Sequence, residues 1–510
     1  MTQESQTSPL NMDQIKIDPQ VALSLPAPIA IRRQVLPFSC QDGLVYIACA
    51  DPGDTAGLEA VQKFTGKKAV IRLAESESLK RAISRVYSGP QTDTRHGRSG
   101  QHGTYISSHN RSLSLDIDTD DAVELANKLL HAAILRQASD IHIEPEKDAV
   151  RVRFRVDGEL SNFCALPTAC LPSLVSRLKV LSGMDIAERR SPQDGGFSHR
   201  YGSGAQSRAV DIRSATLPTR HGERMTLRLL ALGAETLTLD HLGMTSADHR
   251  LVEQLLQNPH GLVLLTGPTG SGKTTTLYAI IRKLVAAAAL NIITVEDPIE
   301  YEIAGVSQVE VESGDKVNFS KALRSILRHD PDVLMIGEIR DAETLDVAIK
   351  ASLTGHLVLS TLHTNSAAGV VTRLADMEAQ RYLQAATLRL CVAQRLVRRL
   401  CQHPGCRRKR SLTAAEAVAL GRPDHAGQEI FDPGGCVYCD GRGYSGRLGL
   451  FELMPVSAEI ARQIAAGVPE EELDRTRISH GHPSLWNDAA DKVLAGQISF
   501  ADAVEVVDMV

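Results

Sequence analysis

The stretch "GLVLLTGPTGSGKTTTLYAIIRKL", from Gly261 to Leu284, decides the fold of this chain. An apolar run typical of a buried strand leads into a glycine-rich turn, and the turn leads into a helical pattern. The turn contains G-x-x-x-x-G-K-T, from Gly267 to Thr274. Its glycines permit backbone conformations that a Cβ would penalise, so successive N–H groups can point at phosphate oxygens. This order predicts a nucleotide-binding loop at the N-terminus of a helix.

The loop also carries the side chains that nucleotide chemistry requires. Lys273 can reach the β- and γ-phosphates, and the hydroxyl of Thr274 can ligate magnesium. A structural turn would explain the glycines, but it does not require a lysine followed by a threonine. We therefore expect ATP to be held by nine successive residues: Gly267, Pro268, Thr269, Gly270, Ser271, Gly272, Lys273, Thr274 and Thr275.

Two further apolar runs end in carboxylates. "DVLMIGE" ends in Glu338, and "NIITVEDPIEY" carries Glu296, Asp297 and Glu300 around Pro298. In P-loop enzymes a strand parallel to the first ends in an acid that orders the magnesium ion and its waters. Because glutamate is one methylene longer than the usual aspartate, we expect Glu338 to hold the metal through water. Acids at the end of the other strand can serve as a general base or as metal ligands, although such acids are common.

Length and composition bound the remaining possibilities. A chain of 510 residues is too long for one hydrophobic core, so two to four domains are expected. The net charge of -5 gives no general reason to expect nucleic acid or an anionic membrane as the main ligand. The N-terminus lacks a signal-peptide pattern, and the longest apolar stretch, residues 284–295, is too short to cross a bilayer. We therefore expect a cytoplasmic protein whose membrane contact is indirect.

Hydrophobic periodicity divides the chain into α/β parts. Residues up to about Val35 lack sustained periodicity and are predicted to be a mobile lead-in. A Gly-, Ser-, Thr- and His-rich stretch reads as a linker. The predicted ranges are 1–88 for a first α/β domain, 89–116 for the linker, 117–235 for a second domain and 236–510 for a third with a parallel sheet.

Four of the nine cysteines lie in "CQHPGC" and "CVYC" near the C-terminus. Two such pairs brought together make a tetrahedral site of four thiolates, which zinc prefers. The alternative is a set of reduced thiols without a metal. We predict a structural zinc site within residues 398–443, with the ligands Cys401, Cys406, Cys436 and Cys439.

The motifs together resemble a known family. "GPTGSGKTTT", "ITVEDPIEY", "ILRHDPDVLMIGEIRD" and "TGHLVLSTLHTNSA" are similar to the Walker A, Asp box, Walker B and His box of the secretion ATPases that drive type II secretion and type IV pilus assembly. The resemblance extends to "ASDIHIEP", "RFRVDG", "DIRSATLPTRHGERMTLRLL" and the cysteine tail. It implies a RecA-like P-loop NTPase core, preceding α/β domains of which the second is PAS-like, and a C-terminal zinc-binding subdomain.

The resemblance also implies roles for individual residues. Glu338 matches the Walker B glutamate, and Glu300 matches the glutamate that acts as the base toward water. His356 and His363 match the two His-box histidines, either of which could report on the γ-phosphate; for His356 a role as a satisfied core histidine stays open.

Four arginines also match family positions. Arg213 and Arg228 match arginines that the family places near the nucleotide, where they would compensate transition-state charge. Arg324 and Arg328 match a pair at the interface of the two lobes.

The function expected from the resemblance is that of a cytoplasmic ATPase, peripheral to the inner membrane, that powers type II protein secretion. It would be a homohexamer that uses ATP, Mg²⁺ and Zn²⁺, and its partners would be the cytoplasmic domain of a bitopic membrane protein and a polytopic platform protein. The first domain resembles the one that docks on the bitopic partner. Type IV pilus extension is the alternative, and a retraction ATPase is disfavoured because that type lacks the cysteine tail. A nucleic-acid translocase and a scaffold with little turnover are rivals, but aromatic residues are only 4% and no nucleic acid is expected.

Overall fold

A computed structural model of the chain describes residues 9–22, 24–25, 29–30, 33–41, 44–51, 55–65, 67–87, 103–106, 112–115, 121–201, 208–230, 237–258, 260–287, 290–311, 319–436, 439 and 441–507. These residues form two compact units. The first comprises Met1–Leu232, His403–Cys406 and Gly434–Ser445; the second comprises Gly233–Gln402, Arg407–Pro433 and Gly446–Val510.

The N-terminal part of the first unit is a small α/β fold. Its three-stranded sheet has the order β1-β2-β3, with β1 antiparallel to β2 and β2 parallel to β3. The elements are α1 (Pro19–Ala22), β1 (Val35–Gln41), β2 (Leu44–Cys49), α2 (Thr55–Thr65), β3 (Lys68–Leu73) and α3 (Ser76–Tyr87).

The predicted mobile lead-in is wrong for the described residues before β1. Met12, Ile15 and Ile17 are buried in one cluster with Phe38 of β1 and Leu79 of α3. These side chains lack the spacing of a helix or a strand, so periodicity alone does not reveal that they are core residues. Residues 1–8 lie outside the described part of the chain.

The rest of the first unit is built on an eight-stranded sheet of order β5-β4-β8-β7-β6-β11-β10-β9. Residues of α4 and α5 share one apolar core with its inner face. Most of the predicted linker lies outside the described residues, and its two described pieces form β4 and β5. The elements are β4 (Gly103–Ile106), β5 (Ser112–Leu115), α4 (Ala122–Leu135), β6 (Ala138–Pro145), β7 (Val150–Val156), β8 (Glu159–Leu166), α5 (Leu171–Leu181), β9 (Gln193–Tyr201), β10 (Arg208–Thr219) and β11 (Gly222–Leu229).

The second unit contains a seven-stranded sheet of order β14-β13-β15-β16-β12-β17-β20. The pairs β13–β14, β13–β15, β15–β16, β16–β12 and β12–β17 are parallel. The strands are β12 (Gly261–Thr266), β13 (Ile292–Glu296), β14 (Ser307–Glu310), β15 (Val333–Ile336), β16 (Leu357–Leu362), β17 (Leu388–Leu400) and β20 (Tyr444–Pro455); β18 (Arg408–Ser411) and β19 (Glu429–Asp432) form a separate pair.

Both faces of this sheet are covered, as expected for parallel strands joined by crossover helices. Along β12, Leu262 and Leu264 belong to one core cluster, whereas Val263 and Leu265 belong to another. The helices are α6 (Ser246–Leu256), α7 (Lys273–Ala287), α8 (Phe319–Ile326), α9 (Ala342–Leu353), α10 (Gly369–Asp376), α11 (Arg381–Thr387), α12 (Ala414–Ala419), α13 (Ala458–Ala466), α14 (Glu470–Ser479), α15 (Leu485–Leu494) and α16 (Phe500–Val507). The α/β class predicted from the sequence is confirmed.

The sheet order brings the predicted motifs to one edge. Because β12, β13, β15 and β16 are parallel, the loops that follow their carboxyl ends share that edge. The apolar stretch 284–295 divides between the end of α7 and the start of β13. Among the described helices, none has the length and apolarity needed to span a bilayer.

Candidate active site

The glycine-rich turn follows β12 and leads directly into α7, as predicted. Gly267 has a φ of +146° and Gly272 a φ of +88°, a region that residues with a Cβ rarely adopt. Neighbouring β17 also leaves no space for a side chain. A Cβ on Gly267 would collide with the carbonyl oxygen of Gln394, and one on Gly272 would lie 2.8 Å from Nε2 of the same residue. These two glycines are therefore required by backbone conformation and by the close approach of β17.

Lys273 is the first residue of α7 and is 8% exposed. Its Nζ donates hydrogen bonds to the carbonyl oxygens of Gly267 at 2.7 Å and Pro268 at 3.1 Å. Burial lowers the lysine pKa to about 8, against the opposing effect of Glu338. The ammonium thus lies inside the loop with neutral acceptors, and phosphate oxygens are the stronger, charge-assisted acceptors for it.

The rest of the loop fits a nucleotide and its magnesium ion. Pro268, Thr269 and Gly270 are exposed, and Thr274 and Thr275 are half-buried at the start of α7. The first N–H groups of a helix lack partners within the helix, so this N-terminus attracts an anion. A hydroxyl such as that of Thr274, together with a carboxylate, suits magnesium, which when bound neutralises phosphate charge.

Glu338 follows β15 at the same edge. Its carboxylate accepts hydrogen bonds from Arg340 and from Nε2 of His363 at 3.2 Å, and Asp297 lies 3.7 Å from Arg340. His363 comes directly after β16, the strand between β15 and β12. The structure therefore brings a carboxylate, an imidazole and a cation together beside the phosphate loop.

Glu296, the last residue of β13, and Glu300, four residues later, have different surroundings. Glu296 is 2% exposed and accepts hydrogen bonds from the hydroxyl of Tyr278, from Thr294 at 2.6 Å and from Gln308 at 3.1 Å. Burial, with the charge of Glu296, raises the pKa of Tyr278 well above its usual range. Glu296 is therefore held as a structural acceptor within the fold.

Glu300 is half-buried, and its backbone N–H donates to the Tyr278 hydroxyl at 3.3 Å. Its carboxylate makes no hydrogen bond or ion pair with the residues that the structure describes. Of the two glutamates, Glu300 is the one whose carboxylate remains available to accept a proton from water.

The structure does not bring His356 to this group. It lies immediately before β16, and its backbone oxygen accepts from Gly261 at the start of β12. The six residues of β16 separate it from His363, a rise of about 20 Å. Its Nδ1 interacts with the carbonyl oxygen of Ala351 at 2.9 Å. The structure therefore does not bring His356 to the phosphate loop. Its role toward the γ-phosphate stays a prediction, and the alternative of a satisfied structural histidine fits its position.

Arg213 and Arg228 lie in the first unit, directly opposite each other on β10 and β11. Arg228 donates to Asp140 at 2.9 Å, and Arg155 of β7 lies 3.7 Å from the same carboxylate. Because the Cα partners of adjacent strands point to one face, three arginines share the sheet face opposite the core around one acid. Arginines therefore outnumber acids in this row of the sheet.

Arg324 lies in the last turn of α8 in the second unit, and Arg328 lies two residues after that helix ends. Arg324 forms an ion pair with Glu343 at 2.7 Å, and Arg328 donates to the carbonyl oxygen of Arg324 at 3.3 Å. These contacts hold the side chains on the surface of the unit without placing them at the phosphate loop.

The four C-terminal cysteines form one cluster. All four sulfur atoms lie within 4.8 Å of one another: Cys401, Cys406, Cys436 and Cys439. The Sγ–Sγ distances from Cys439 to Cys406 and to Cys436 are both 3.7 Å. Sulfurs at about 2.3 Å from a tetrahedral zinc ion are about 3.8 Å apart, so the donor set fits zinc. The backbone N–H of Gly443 donates to the sulfur of Cys439 at 3.2 Å, which stabilises a thiolate.

Sequence reasoning missed two residues of β17 beneath the loop. Gln394 accepts a hydrogen bond from Thr276 at 2.9 Å, and Arg395 is 5% exposed. The available signal was the pair of polar residues inside the otherwise apolar run "LCVAQRLV". A buried glutamine and arginine in a central strand need a polar partner, and here that partner is the loop region.

Comparisons with known proteins agree with this geometry. A family model described as "Type II/IV secretion system protein" matches residues 117–505, and one described as "MshEN domain" matches residues 7–93. The type II secretion system protein E of Pseudomonas aeruginosa is 40% identical over 482 residues, covering 93% of this chain and 94% of the relative.

Two other proteins are similar over much of the chain. The type IV pilus assembly ATPase PilB of Myxococcus xanthus is 36% identical over 503 residues, covering 97% of this chain and 88% of the relative. The crystal structure of the pilus retraction motor PilT with bound ADP covers 74% of this chain and 95% of its own, with a TM-score of 0.51 and 27% identity.

Proposed function

This chain belongs to the type II/IV secretion system protein family, and we propose that it is the motor ATPase of a type II secretion machine. The family expected from the motifs is confirmed, and the chain is an ATPase of that family. The observation that carries the proposal is the shared edge of the sheet. There a buried lysine in a glycine loop lies beside the strand ends that carry Glu338, His363 and Glu300.

The residues divide the work of hydrolysis as follows. The loop from Gly267 to Thr275 holds the phosphates, and Lys273 neutralises their charge. Glu338 and Thr274 organise the magnesium ion and its waters, with Glu338 held in place by His363. Glu300 takes the proton from the attacking water, because its carboxylate is not committed to the fold. Arg213 and Arg228 compensate the charge of the transition state, a role that rests on their match to family positions.

The choice of type II secretion over pilus extension rests on the relatives. The type II protein of Pseudomonas aeruginosa is more similar than the pilus ATPase of Myxococcus xanthus, 40% against 36%, over comparable coverage. Pilus extension is the second candidate because the margin is small. A retraction ATPase is expected to lack the cysteine cluster and the N-terminal part. Their presence favours type II secretion and pilus extension over retraction.

We further propose the setting in which the motor works. The chain forms a homohexamer in the cytoplasm, peripheral to the inner membrane. The first domain, residues 1–88, docks on the cytoplasmic domain of a bitopic membrane protein, and the hexamer drives a polytopic platform protein. The second domain, residues 117–235, carries Arg213 and Arg228. Residues 236–510 form the motor, and a zinc ion is bound by the four clustered cysteines. No nucleic acid is bound.

One experiment in cells separates the two candidates. The gene is replaced by wild-type and Lys273→Ala copies, and both secreted enzymes in the medium and surface pili are measured. We expect Lys273→Ala to abolish secretion and leave pili unchanged. Loss of pili with normal secretion would overturn the type II assignment in favour of pilus extension.

A second experiment addresses the rival class of activity. Phosphate release by the purified chain is measured alone, with the cytoplasmic domain of the membrane partner and phospholipid vesicles, and with single-stranded DNA. We expect stimulation by the partner and vesicles only. Stimulation by DNA would contradict the motor assignment and favour a nucleic-acid translocase.

A further inference from the structure

A second buried cation lies beneath the phosphate loop, and the roles assigned above do not use it. Arg395 projects from β17, the strand next to β12, and is 5% exposed. A Cβ on Gly267 would lie 3.1 Å from its Nη1, so the guanidinium is packed against the first glycine of the loop. Its Nη1 donates to the carbonyl oxygen of Gln394, and its Nη2 to that of Asn365, each at 3.1 Å.

These contacts join two loops of the active site. Asn365 lies two residues after His363, in the loop that follows β16, whereas Gly267 begins the loop that follows β12. Arg395 therefore connects the His-box loop with the phosphate loop from behind. A displacement of the guanidinium would change the position of both.

The charge of Arg395 has no adjacent counter-ion among the residues that the structure describes. Its hydrogen bonds all go to neutral oxygens. The acid that acts on it, Glu452, accepts hydrogen bonds from the backbone of Ala367 at 2.8 Å and Leu485 at 3.2 Å, and it pairs with Arg477 at 3.4 Å. Burial lowers the pKa of Arg395, and Glu452 opposes this only partly.

An isolated buried charge is costly in a folded protein unless an anion offsets it. Arg395 and Lys273 both lie beside Gly267, and neither forms an ion pair with a described acid. Two buried cations at one glycine make a centre of positive potential at the base of the loop. A phosphate group above the loop is the anion that this arrangement fits.

We propose that Arg395 is a positioning residue for ATP hydrolysis, which holds Gly267 and Asn365 in place and whose buried charge is offset by the bound phosphates. The inference rests on the phosphate-loop assignment made under the proposed function. It predicts an unusual pair of effects: the arginine contributes to nucleotide affinity and does not stabilise the protein without nucleotide.

The test compares Arg395→Met and Arg395→Lys with the wild-type chain. Thermal unfolding is recorded without nucleotide and with Mg-ADP or a non-hydrolysable Mg-ATP analogue, and nucleotide affinity is measured by titration. Methionine replaces the aliphatic stem of arginine with an unbranched apolar chain and carries no charge. We expect Arg395→Met to melt at or above the wild-type temperature without nucleotide and to bind nucleotide about tenfold more weakly. Arg395→Lys, which keeps the charge, should regain part of the affinity.

Arg477→Met is the matched control. Arg477 is also buried, but it pairs with Glu452 and with Asp474 at 3.0 Å, so its loss removes the ion-pair partner of the buried Glu452. We expect this variant to melt well below the wild type and to keep wild-type nucleotide affinity. The two arginines should thus show opposite patterns in the same measurements.

Two other results would contradict the inference about Arg395. If Arg395→Met melts below the wild type without nucleotide and keeps wild-type affinity, the residue is only structural and the inference is wrong. If Lys273→Ala keeps wild-type affinity, the phosphate-loop assignment itself fails, and this inference fails with it. A failure of Arg395 alone is recognised because Lys273→Ala then still loses affinity.

Discussion

Glu296, the last residue of β13, and Glu300, four residues later, offer the sharpest test of which side chain supports the fold and which performs the chemistry. Glu296→Ala removes an acceptor that is 2% exposed and takes hydrogen bonds from Tyr278, Thr294 and Gln308. Tyr278 and Thr294 are fully buried, so their hydroxyls lose a partner that water cannot replace. Hydrogen bonds to a charged group contribute about 1.5 to 3 kcal/mol each, and recovered charge solvation offsets part of the loss. We expect a net destabilisation of about 3 to 5 kcal/mol.

Thermal unfolding measures this destabilisation directly. For a unit of this size, it corresponds to a decrease of roughly 10 °C in the melting temperature. Tyr278→Phe, which removes one donor and keeps the ring, should show a smaller decrease. Glu300→Ala should melt within about 2 °C of the wild type and lose turnover by roughly 10² to 10⁴, the usual contribution of a general base.

The comparison has two results that would refute the reasoning. If Glu296→Ala melts like the wild type, the buried network does not stabilise the fold. If it melts like the wild type and also loses turnover, Glu296 and not Glu300 is the base. Turnover is measured at a temperature where each variant is folded, so that instability is not mistaken for lost chemistry.

Three further predictions concern other parts of the site. Stripping metal should release about one zinc ion per chain, and Cys436→Ser should lower that ratio. Elemental analysis that finds no zinc would refute the proposed zinc site. The kcat/KM for ATP should fall as pH rises through about 8, because the Lys273 ammonium in the free enzyme loses its charge there. The kcat should persist to higher pH, since bound phosphate keeps the proton on Lys273. An equal dependence of kcat and kcat/KM on pH would count against this role of Lys273. His363→Ala should lower turnover about tenfold or more, because Glu338 loses the support of the imidazole. His356→Ala should keep turnover within about twofold. A larger loss of turnover in His356→Ala than in His363→Ala would show that His356 acts in the site.

Much of the site could be predicted because local sequence determines it. A strand, a glycine turn and Lys273 are contiguous, and Glu338 follows an apolar run of four residues and one glycine. The convergence of these pieces follows from one rule, that parallel strands present their carboxyl ends at the same edge. The division of roles between Glu296 and Glu300 could not be predicted this way. That division depends on Tyr278 in α7 and Gln308 in β14, whose side chains reach Glu296 only after the sheet has formed.

The position of His356 could not be predicted for a different reason. The motif places it seven residues before His363, and both share one apolar run. In a helix such spacing would put both on one face, but in β16 it puts them at opposite ends. Arg395 escaped notice because the partner of a buried arginine is identified only when the neighbouring strand is known. The lead-in residue Met12 was missed because core residues outside regular elements lack periodicity.

We propose above all that Glu338 organises the metal while Glu300 removes the proton from water. Glu300→Gln and Glu338→Gln are compared with the wild type by nucleotide binding at varied magnesium and by phosphate release in a single turnover. We expect Glu300→Gln to bind magnesium-nucleotide like the wild type and to release no phosphate, and Glu338→Gln to require a higher magnesium concentration for binding. If the two variants have the same magnesium dependence and the same loss of turnover, the division of labour between the two glutamates is wrong.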